Sequence, residues 1–386
     1  MQIKRYFIPE NMDRSTLEDC GRAEFVEKLL LFISMIQFCR FRKRTYKNDD
    51  FIPLKAHILG AYIRPNDVKR VRAELIERGI MECDWERLYG RKCFGHRYTP
   101  EYRGRKLVSI VAEYPKGEPD KTAEGLSGPH AYIRQNLERV TIEPAAADLI
   151  PSAEADRQNY RRIAYDLISD EAWFFATDKN TGRVFHNVSN CPTALRPCLR
   201  LDGRELVEVD IRNCQPMLLG SLYSDRQSAE AKRYNDIVQR GGFYEFMQEH
   251  TGYNRDEAKE KFLSFAFGEV RFAESSKFGQ AFSANFPQLR TTMDGVKSGD
   301  YRNMSALTQK LEADLVINTV VPMCEREGVP VLTIHDSLMM FPEHAGDVQE
   351  MIKSECQRLY KLSPCLKIKA GQGLNRSREK DADYIN

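Results

Sequence analysis

Apolar residues recur at helical spacing through residues 16–39 (TLEDCGRAEFVEKLLLFISMIQFC), a long Pro-free stretch that predicts a core helix. From residue 51 the pattern shortens. FIPLKAHILGAYI predicts one helix, and after the Pro65-Asn66-Asp67 break DVKRVRAELIERG predicts a second, closed by Gly79. IMECDWERLY and KCFGHRYTPEY, on either side of Gly90-Arg91-Lys92, predict two strands joined by a basic turn. Residues 115–129 (PKGEPDKTAEGLSGP) are rich in Pro, Gly and charge and predict a linker, the best domain boundary in the chain. Residues 130–140 and 155–169 again predict helix, and strand and helix signals alternate from there to the end.

Composition narrows the class without naming a chemistry. The 386 residues suffice for two or three domains with cores of their own. Hydrophobic residues make up 42% and charged residues 30%, an ordinary globular balance. No apolar run approaches the ~20 residues a membrane helix needs, and MQIKRYFIPENMDRS lacks the apolar stretch of a secretory signal. The expectation is a cytoplasmic protein of a bacterial or phage-infected cell, with no membrane partner. Ten cysteines include no C-x-x-C pair and predict buried or incidental thiols.

A net charge of +2 does not mark the chain as a nucleic-acid binder, but its distribution says more. RFRKR stands at 40–44, Lys69, Arg70 and Arg72 line the second short helix, and Arg91 and Lys92 occupy the basic turn. These are candidate phosphate contacts, although charge alone reads more plainly as a solvated surface. Two helices followed by a basic hairpin resemble a winged helix-turn-helix, with 67–78 as recognition helix and 90–97 as wing.

Three later segments carry candidate chemistry. In RELVEVDIRNCQPMLLGSLY, alternation through Leu206, Val207 and Val209 ends at Asp210, and 216–223 then turns helix-like. In VPVLTIHDSLMMF, two short apolar strands flank His335-Asp336-Ser337, which puts Asp336 at a hairpin tip. Taken singly, helix capping and turn chemistry explain both aspartates. Together they suggest more. Adjacent carboxylates repel unless cations lie between them, and two divalent metals ~3.5–4 Å apart serve phosphoryl-transfer enzymes. In NRDEAKEKFLSFAFGE, Arg255 and Lys259 share one helical face ahead of Phe267-Gly268. Cations one turn apart can hold a triphosphate, and an aromatic two turns on can stack on a base. An amphipathic helix with solvated charges is the alternative.

The order and spacing of these segments resemble the palm and fingers of family A DNA polymerases and of their relatives, the single-subunit phage-type RNA polymerases. In that family a T-x-G-R segment precedes the first aspartate, and Thr181-Gly182-Arg183 stands there, with Asn187 and Ser189 just after. Asp210 matches the motif A aspartate. Arg255, Lys259 and Phe267-Gly268 match the fingers helix, Gln309, Ala313 and Asp314 match a later Q-x-x-x-A-D, and His335-Asp336 matches motif C. The likeness spans about 177–375 and implies these roles. Asp210 and Asp336, with the carbonyl of Ile211, would hold two Mg²⁺ ions, for which Mn²⁺ can substitute. Arg255, Lys259 and Leu263 would line the triphosphate, and Lys259 would also protonate pyrophosphate. Phe267 would stack on the nascent pair, with Gly268 leaving room for template. Arg183, Asn187, Gln309 and His335 would contact the primer end and duplex minor groove.

Departures from the pattern matter as well. The carboxylate that follows His-Asp in the DNA polymerases is Ser337 here, the form found in the RNA polymerases. The sugar gate five residues after Asp210 is Gln215, nearly isosteric with the DNA enzymes' Glu. Phe267 lacks the tyrosine hydroxyl of the RNA enzymes. Size and hydrogen bonding favour dNTPs over NTPs. The resulting expectation is an α+β chain with a winged-helix-like domain at 1–114, a linker at 115–129, a reduced thumb-like region at 130–176 and a palm with fingers at 177–386. The fingers would span about 225–300. Its activity would be template-directed DNA synthesis on a primer-template without proofreading, in the replication of a phage, plasmid or mobile element, alongside replication partner proteins. A primase or single-subunit RNA polymerase, and a non-catalytic DNA-binding regulator, are the competing readings.

Overall fold

The computed structural model describes residues 3–370 apart from 13, 43–45, 55–58, 61, 87–92, 117–124 and 153. It opens with β1 (Ile3–Pro9), followed by α1 (Ala23–Arg42). α1 starts later than its apolar pattern because Arg14–Cys20 winds as a 3₁₀ turn and Gly21 takes a φ of 124°. Leu29 to Phe38 are buried almost without interruption, so this helix is enclosed rather than amphipathic. Its one enclosed acid, Glu27, accepts hydrogen bonds from the Tyr6 hydroxyl at 2.6 Å and Arg14 Nη1 at 3.0 Å.

The segment expected as a first short helix instead begins as strand β2 (Ile52–Pro53), paired with His96 and Gly95. The cause is local: a residue preceding proline is driven into extended backbone, and Ile52 precedes Pro53. Most of the remaining helix candidate lies outside the described residues. α2 (Pro65–Glu77) follows, then β3 (Met81–Cys83) and β4 (Gly95–Tyr98) in an antiparallel hairpin, giving the sheet order β2-β4-β3. Arg91 and Lys92, expected in the basic turn, lie outside the described residues.

β5 (Leu107–Lys116) pairs with β1 and runs two residues into the expected linker, which on its far side gives way to α3 (Gly128–Leu137). The stretch expected to form a thumb-like unit reaches more than one neighbour. α3 donates from Tyr132 and Asn136 to the carbonyls of Val329 and Val331, and β6 (Val140–Ile142) pairs with β9 (Leu199–Leu201). α4 (Ala155–Ser169) turns the other way. Asn159 Oδ1 accepts from the Leu107 amide at 2.6 Å, and Asp170, just past the helix end, pairs with Arg5 at 2.7 Å.

β7 (Phe175–Thr177) and β8 (Val184–His186) form a hairpin, and β10 (Arg204–Glu205) leads into β11 (Val207–Ile211). Seven helices come next: α5 (Cys214–Gly220), α6 (Ala229–Gln239), α7 (Phe243–Thr251), α8 (Arg255–Phe267), α9 (Val270–Ser275), α10 (Lys277–Asn285) and α11 (Pro287–Lys297). Rings of Tyr234, Phe243, Phe262, Phe282 and Phe286 meet among them edge-to-face, with centroids 4.9 to 6.4 Å apart. α12 (Arg302–Leu315) widens into a π turn at Val316–Val320 before α13 (Val321–Arg326). β12 (Leu332–Ile334), β13 (Ser337–Met340), α14 (Ala345–Tyr360) and β14 (Leu366–Ala370) complete the described chain. The central sheet is antiparallel with order β12-β13-β11-β14, so helices and antiparallel sheets combine as α+β. No described helix is long and apolar enough to cross a membrane. All ten cysteines are free thiols, five of them buried.

Candidate active site

β11 is the middle of the candidate site, with β13 and β14 paired on either side. Val207, Glu208, Val209 and Ile211 are buried, so the strand is covered on both faces and its two acids must find partners. Asp210 stands opposite Ser337 across to β13 and opposite Lys367 across to β14. β12 and β13 are joined by His335-Asp336 alone, with His335 at φ 52°, the left-handed backbone that two-residue hairpins demand. The Ile211 amide donates to the Asp336 carbonyl at 3.4 Å, which ties this turn to the end of β11. The two aspartates separated in sequence are thereby brought to one end of one sheet.

Charge there is unbalanced. Burial, then the negative charges of Glu312 and Asp210, push the Asp336 carboxyl up to about 8. Lys369 Nζ on β14 lies 3.0 Å from Asp210 Oδ1 and 2.9 Å from Glu208 Oε1. Burial lowers that ammonium's pKa, but the two carboxylates outweigh it and hold it above its usual value. Glu208 is held below its usual range against the cost of burial by Arg196, Lys369 and Ser337, whose hydroxyl donates to Oε1 at 3.0 Å. Ser337 thus fills its position as a structural donor to a buried acid.

Arg183 reaches the same end from the β7–β8 turn. Asp178 Oδ1 accepts from the Asn180 and Thr181 amides, Gly182 takes φ 76°, and Arg183 Nη2 then donates to Glu312 Oε2 at 2.6 Å. Gln215, on α5 just past Asp210, donates from Nε2 to that same oxygen at 2.5 Å. Gln309, one turn before Glu312 on α12, donates to Ser305 Oγ at 2.8 Å. The His335 ring meets Phe185 edge-on at 5.6 Å.

α8 begins with a capping box in which Asn254 Oδ1 accepts from the Glu257 amide and Glu257 accepts from the Asn254 amide. Its Arg255, Lys259, Leu263 and Phe267 follow one another at four-residue intervals on one face. Arg255 Nε donates to Glu245 Oε1 at 3.2 Å, with its guanidinium 5.6 Å from the Tyr244 ring. Lys259 is exposed and forms no ion pair among the described residues. Phe267 is half-buried, its ring 6.2 Å from Phe262. Gly268 closes the helix where a Cβ would meet the Ser264 carbonyl oxygen at 2.3 Å, so a larger residue would displace the backbone. Buried Lys297 donates to the carbonyls of Phe265 and Gly268 at 2.8 and 3.0 Å; burial lowers it to about 8.

Two expected DNA contacts are corrected by the structure. Asn187 is buried, with Oδ1 accepting from the Phe174 amide and Nδ2 donating to the Ala172 carbonyl, so its side chain braces a loop. Arg72 turns inward, donating to His96 Nε2 at 3.0 Å and lying 4.9 Å from the Phe94 ring. Burial lowers both members of that pair, His96 to about 4. Lys69 and Arg70 do face solvent, Arg70 over the Phe25 ring at 5.0 Å.

Sequence reasoning missed Glu312, Glu208, Lys369 and Tyr244. Glu312 carried a faint signal, an acid between apolar Leu311 and Ala313, three residues after Gln309. Lys369 carried none without the β11–β14 pairing. Tyr244, buried on α7, has the Arg255 guanidinium 5.6 Å from its ring, and burial pushes its phenol up.

The donor set fits hard divalent cations on a specific count. Carboxylates gather at the sheet end, yet no group of three or more His, Cys, Asp and Glu among the described residues is arranged to hold a metal. Asp210 and Asp336 would therefore need oxygens from elsewhere, such as the Ile211 carbonyl and a substrate's phosphates, which is how Mg²⁺ is commonly held.

No protein-family model and no curated protein matches the sequence. Among solved structures, the chain is similar to the POL domain of Pol1 from M. smegmatis, in complex with DNA primer-template and dNTP, at 14% identity and a TM-score of 0.38. The similarity covers 58% of this chain and 54% of that one, so this chain matches about half of the polymerase chain's length. A likeness this loose carries no argument about chemistry.

Proposed function

We propose that this chain is a template-directed nucleotidyl transferase, a compact DNA polymerase acting on a primer-template with dNTPs and two Mg²⁺ ions. One observation carries the reading: Asp210 and Asp336 meet at one sheet end where Asp336 is destabilised as an anion by Asp210 and Glu312. A protein gains nothing from that arrangement unless cations complete it. Asp210, Asp336 and the Ile211 carbonyl would hold the ions. Bound there, the ions would activate a primer 3′-hydroxyl and stabilise the leaving pyrophosphate.

The chain's own residues do the rest. Arg255 and Lys259 grip the triphosphate from α8, and Lys259, exposed and unpaired, is free to give a proton to pyrophosphate. Leu263 and Phe267 continue that face toward the base, and Gly268 leaves space for the template. Arg183, Gln309 and His335 meet the primer end. Gln215 crowds a 2′-hydroxyl.

Lys69 and Arg70 of α2, with the hairpin that follows, hold duplex DNA. The sheet order β2-β4-β3 with α2 leading into the hairpin supports a winged-helix role for this part. The setting is replication of a phage, plasmid or other mobile element. The second reading, a primase or RNA polymerase, draws on Ser337, which is built in as a donor to Glu208 rather than as a further acid.

Extension of a labelled primer-template by purified protein with Mg²⁺ and either dNTPs or NTPs tests the proposal. Template-directed extension with dNTPs is expected. Extension with NTPs alone would move the function to RNA synthesis, and no synthesis under either condition would overturn nucleotidyl transfer.

A further inference from the structure

Glu312 is enclosed on α12 at 2% exposure, and burial pushes its carboxyl up while Arg183 and Gln215 pull it part of the way back. A single oxygen, Oε2, accepts from both Arg183 Nη2 at 2.6 Å and Gln215 Nε2 at 2.5 Å. These donors arrive from different elements, the β7–β8 turn and the start of α5. Glu312 is thus the one group on which both donors converge. A carboxylate only accepts, so it also fixes which end of the Gln215 amide turns toward it and sends Oε1 the other way.

The same network leaves three buried atoms without a hydrogen-bond partner: Arg183 Nε, Gln215 Oε1 and Glu312 Oε1. Buried polar atoms usually find a partner, so among the described residues these three are open to a water or to a polar group of a ligand. The residue types are also complementary. An acid at both 215 and 312 would set two carboxylates against each other, whereas the amide at 215 can donate to the acid at 312.

We propose that Glu312 is the positioning residue for sugar selection. It fixes the Gln215 amide and the Arg183 guanidinium as one body, and discrimination of deoxyribose from ribose depends on that body rather than on the bulk of Gln215 alone. This inference rests on the nucleotidyl-transfer reading above.

The test measures kcat/KM for a dNTP and for the matching NTP on one primer-template. It compares the wild type with Gln215→Gly, Glu312→Gln, Glu312→Ala and the swap Gln215→Glu/Glu312→Gln, all checked for folding by circular dichroism. Glu312→Ala is expected to lower the dNTP:NTP ratio about tenfold, the loss of a charged hydrogen-bond partner, with the NTP's KM carrying the change. Glu312→Gln should fall between, and the swap, which keeps one acid, one amide and the arginine, should return the ratio to within about threefold of wild type. If Glu312→Ala does not fold, Glu312→Gln and the swap decide. Equal losses on both nucleotides, a swap that recovers nothing, or a wild type indifferent to the sugar would each overturn the assignment. A wild type that extends with neither nucleotide would instead sink nucleotidyl transfer itself, a different and separable failure.

Discussion

At the end of the central sheet, Asp210, Asp336 and Glu312 gather from segments distant in sequence; Lys369 pairs with Asp210 and Arg183 with Glu312, while burial and those two acids push the Asp336 carboxyl up. In the helix-and-sheet unit near the amino terminus the charges are spent locally. Arg97 and Arg103 both pair with Glu82, Arg72 rests on His96, and Arg78 pairs with Glu74 and Asp19. Burial without compensation costs several kcal/mol and persists where something else supplies the compensation. Paired surface charge costs little and explains itself. The contrast separates acids that await a ligand from cations that hold a fold.

The largest effect should come from removing either aspartate. Asp210→Ala or Asp336→Ala is expected to lower primer extension by about a thousandfold or more, with circular dichroism unchanged. Appreciable turnover in either variant would break the comparison at its centre. Next, Lys259→Ala should lower kcat/KM for nucleotide by about ten- to a hundredfold, and Arg255→Ala by less, because Glu245 already engages Arg255. Steady-state kinetics at fixed primer-template would show the order of the two.

A smaller effect concerns pH. The Asp336 carboxyl ordinarily titrates near 3.8 and here near 8. Between those values the folded chain keeps a proton that the unfolded chain has lost, so this group's contribution to stability declines as pH rises from about 4 to about 8. In EDTA at pH 9, Asp336→Asn should therefore melt a few degrees above wild type, and the gap should close toward pH 4. An equal melting temperature at pH 9 would show that the acid is not strained.

The smallest effects belong to the basic helix. Lys69→Ala with Arg70→Ala should weaken duplex binding several-fold and flatten the salt dependence by about two units of slope. Arg72→Ala should lower the melting temperature instead, since its guanidinium packs on His96 and Phe94.

How much of this was legible in the sequence follows from the range of the forces involved. Local periodicity placed β11, α2, α8 and a tight turn at His335-Asp336-Ser337, which the structure shortens to two residues because Ser337 already pairs in β13, and it did so because burial pattern and turn chemistry act over a few residues. It misread Ile52–Pro53 as helix, where a single proline overrode an apolar run. It foresaw helices in 130–176 but not that α3 would donate to Val329 and Val331, a choice made by tertiary contact. The resemblance put Asp210, Asp336, Arg183 and Gln215 on the page, but not what joins them. Glu312 and Lys369 act through pairings that no spacing rule encodes, and Asn187, polar and close to Arg183, turned out to brace a loop.

The most direct test of the central claim is Mn²⁺ binding, followed by electron paramagnetic resonance, to the protein with a dideoxy-terminated primer-template and the next dNTP. The account predicts two ions for wild type and the loss of at least one in Asp336→Ala. The same Mn²⁺ stoichiometry and affinity in wild type and variant would contradict it.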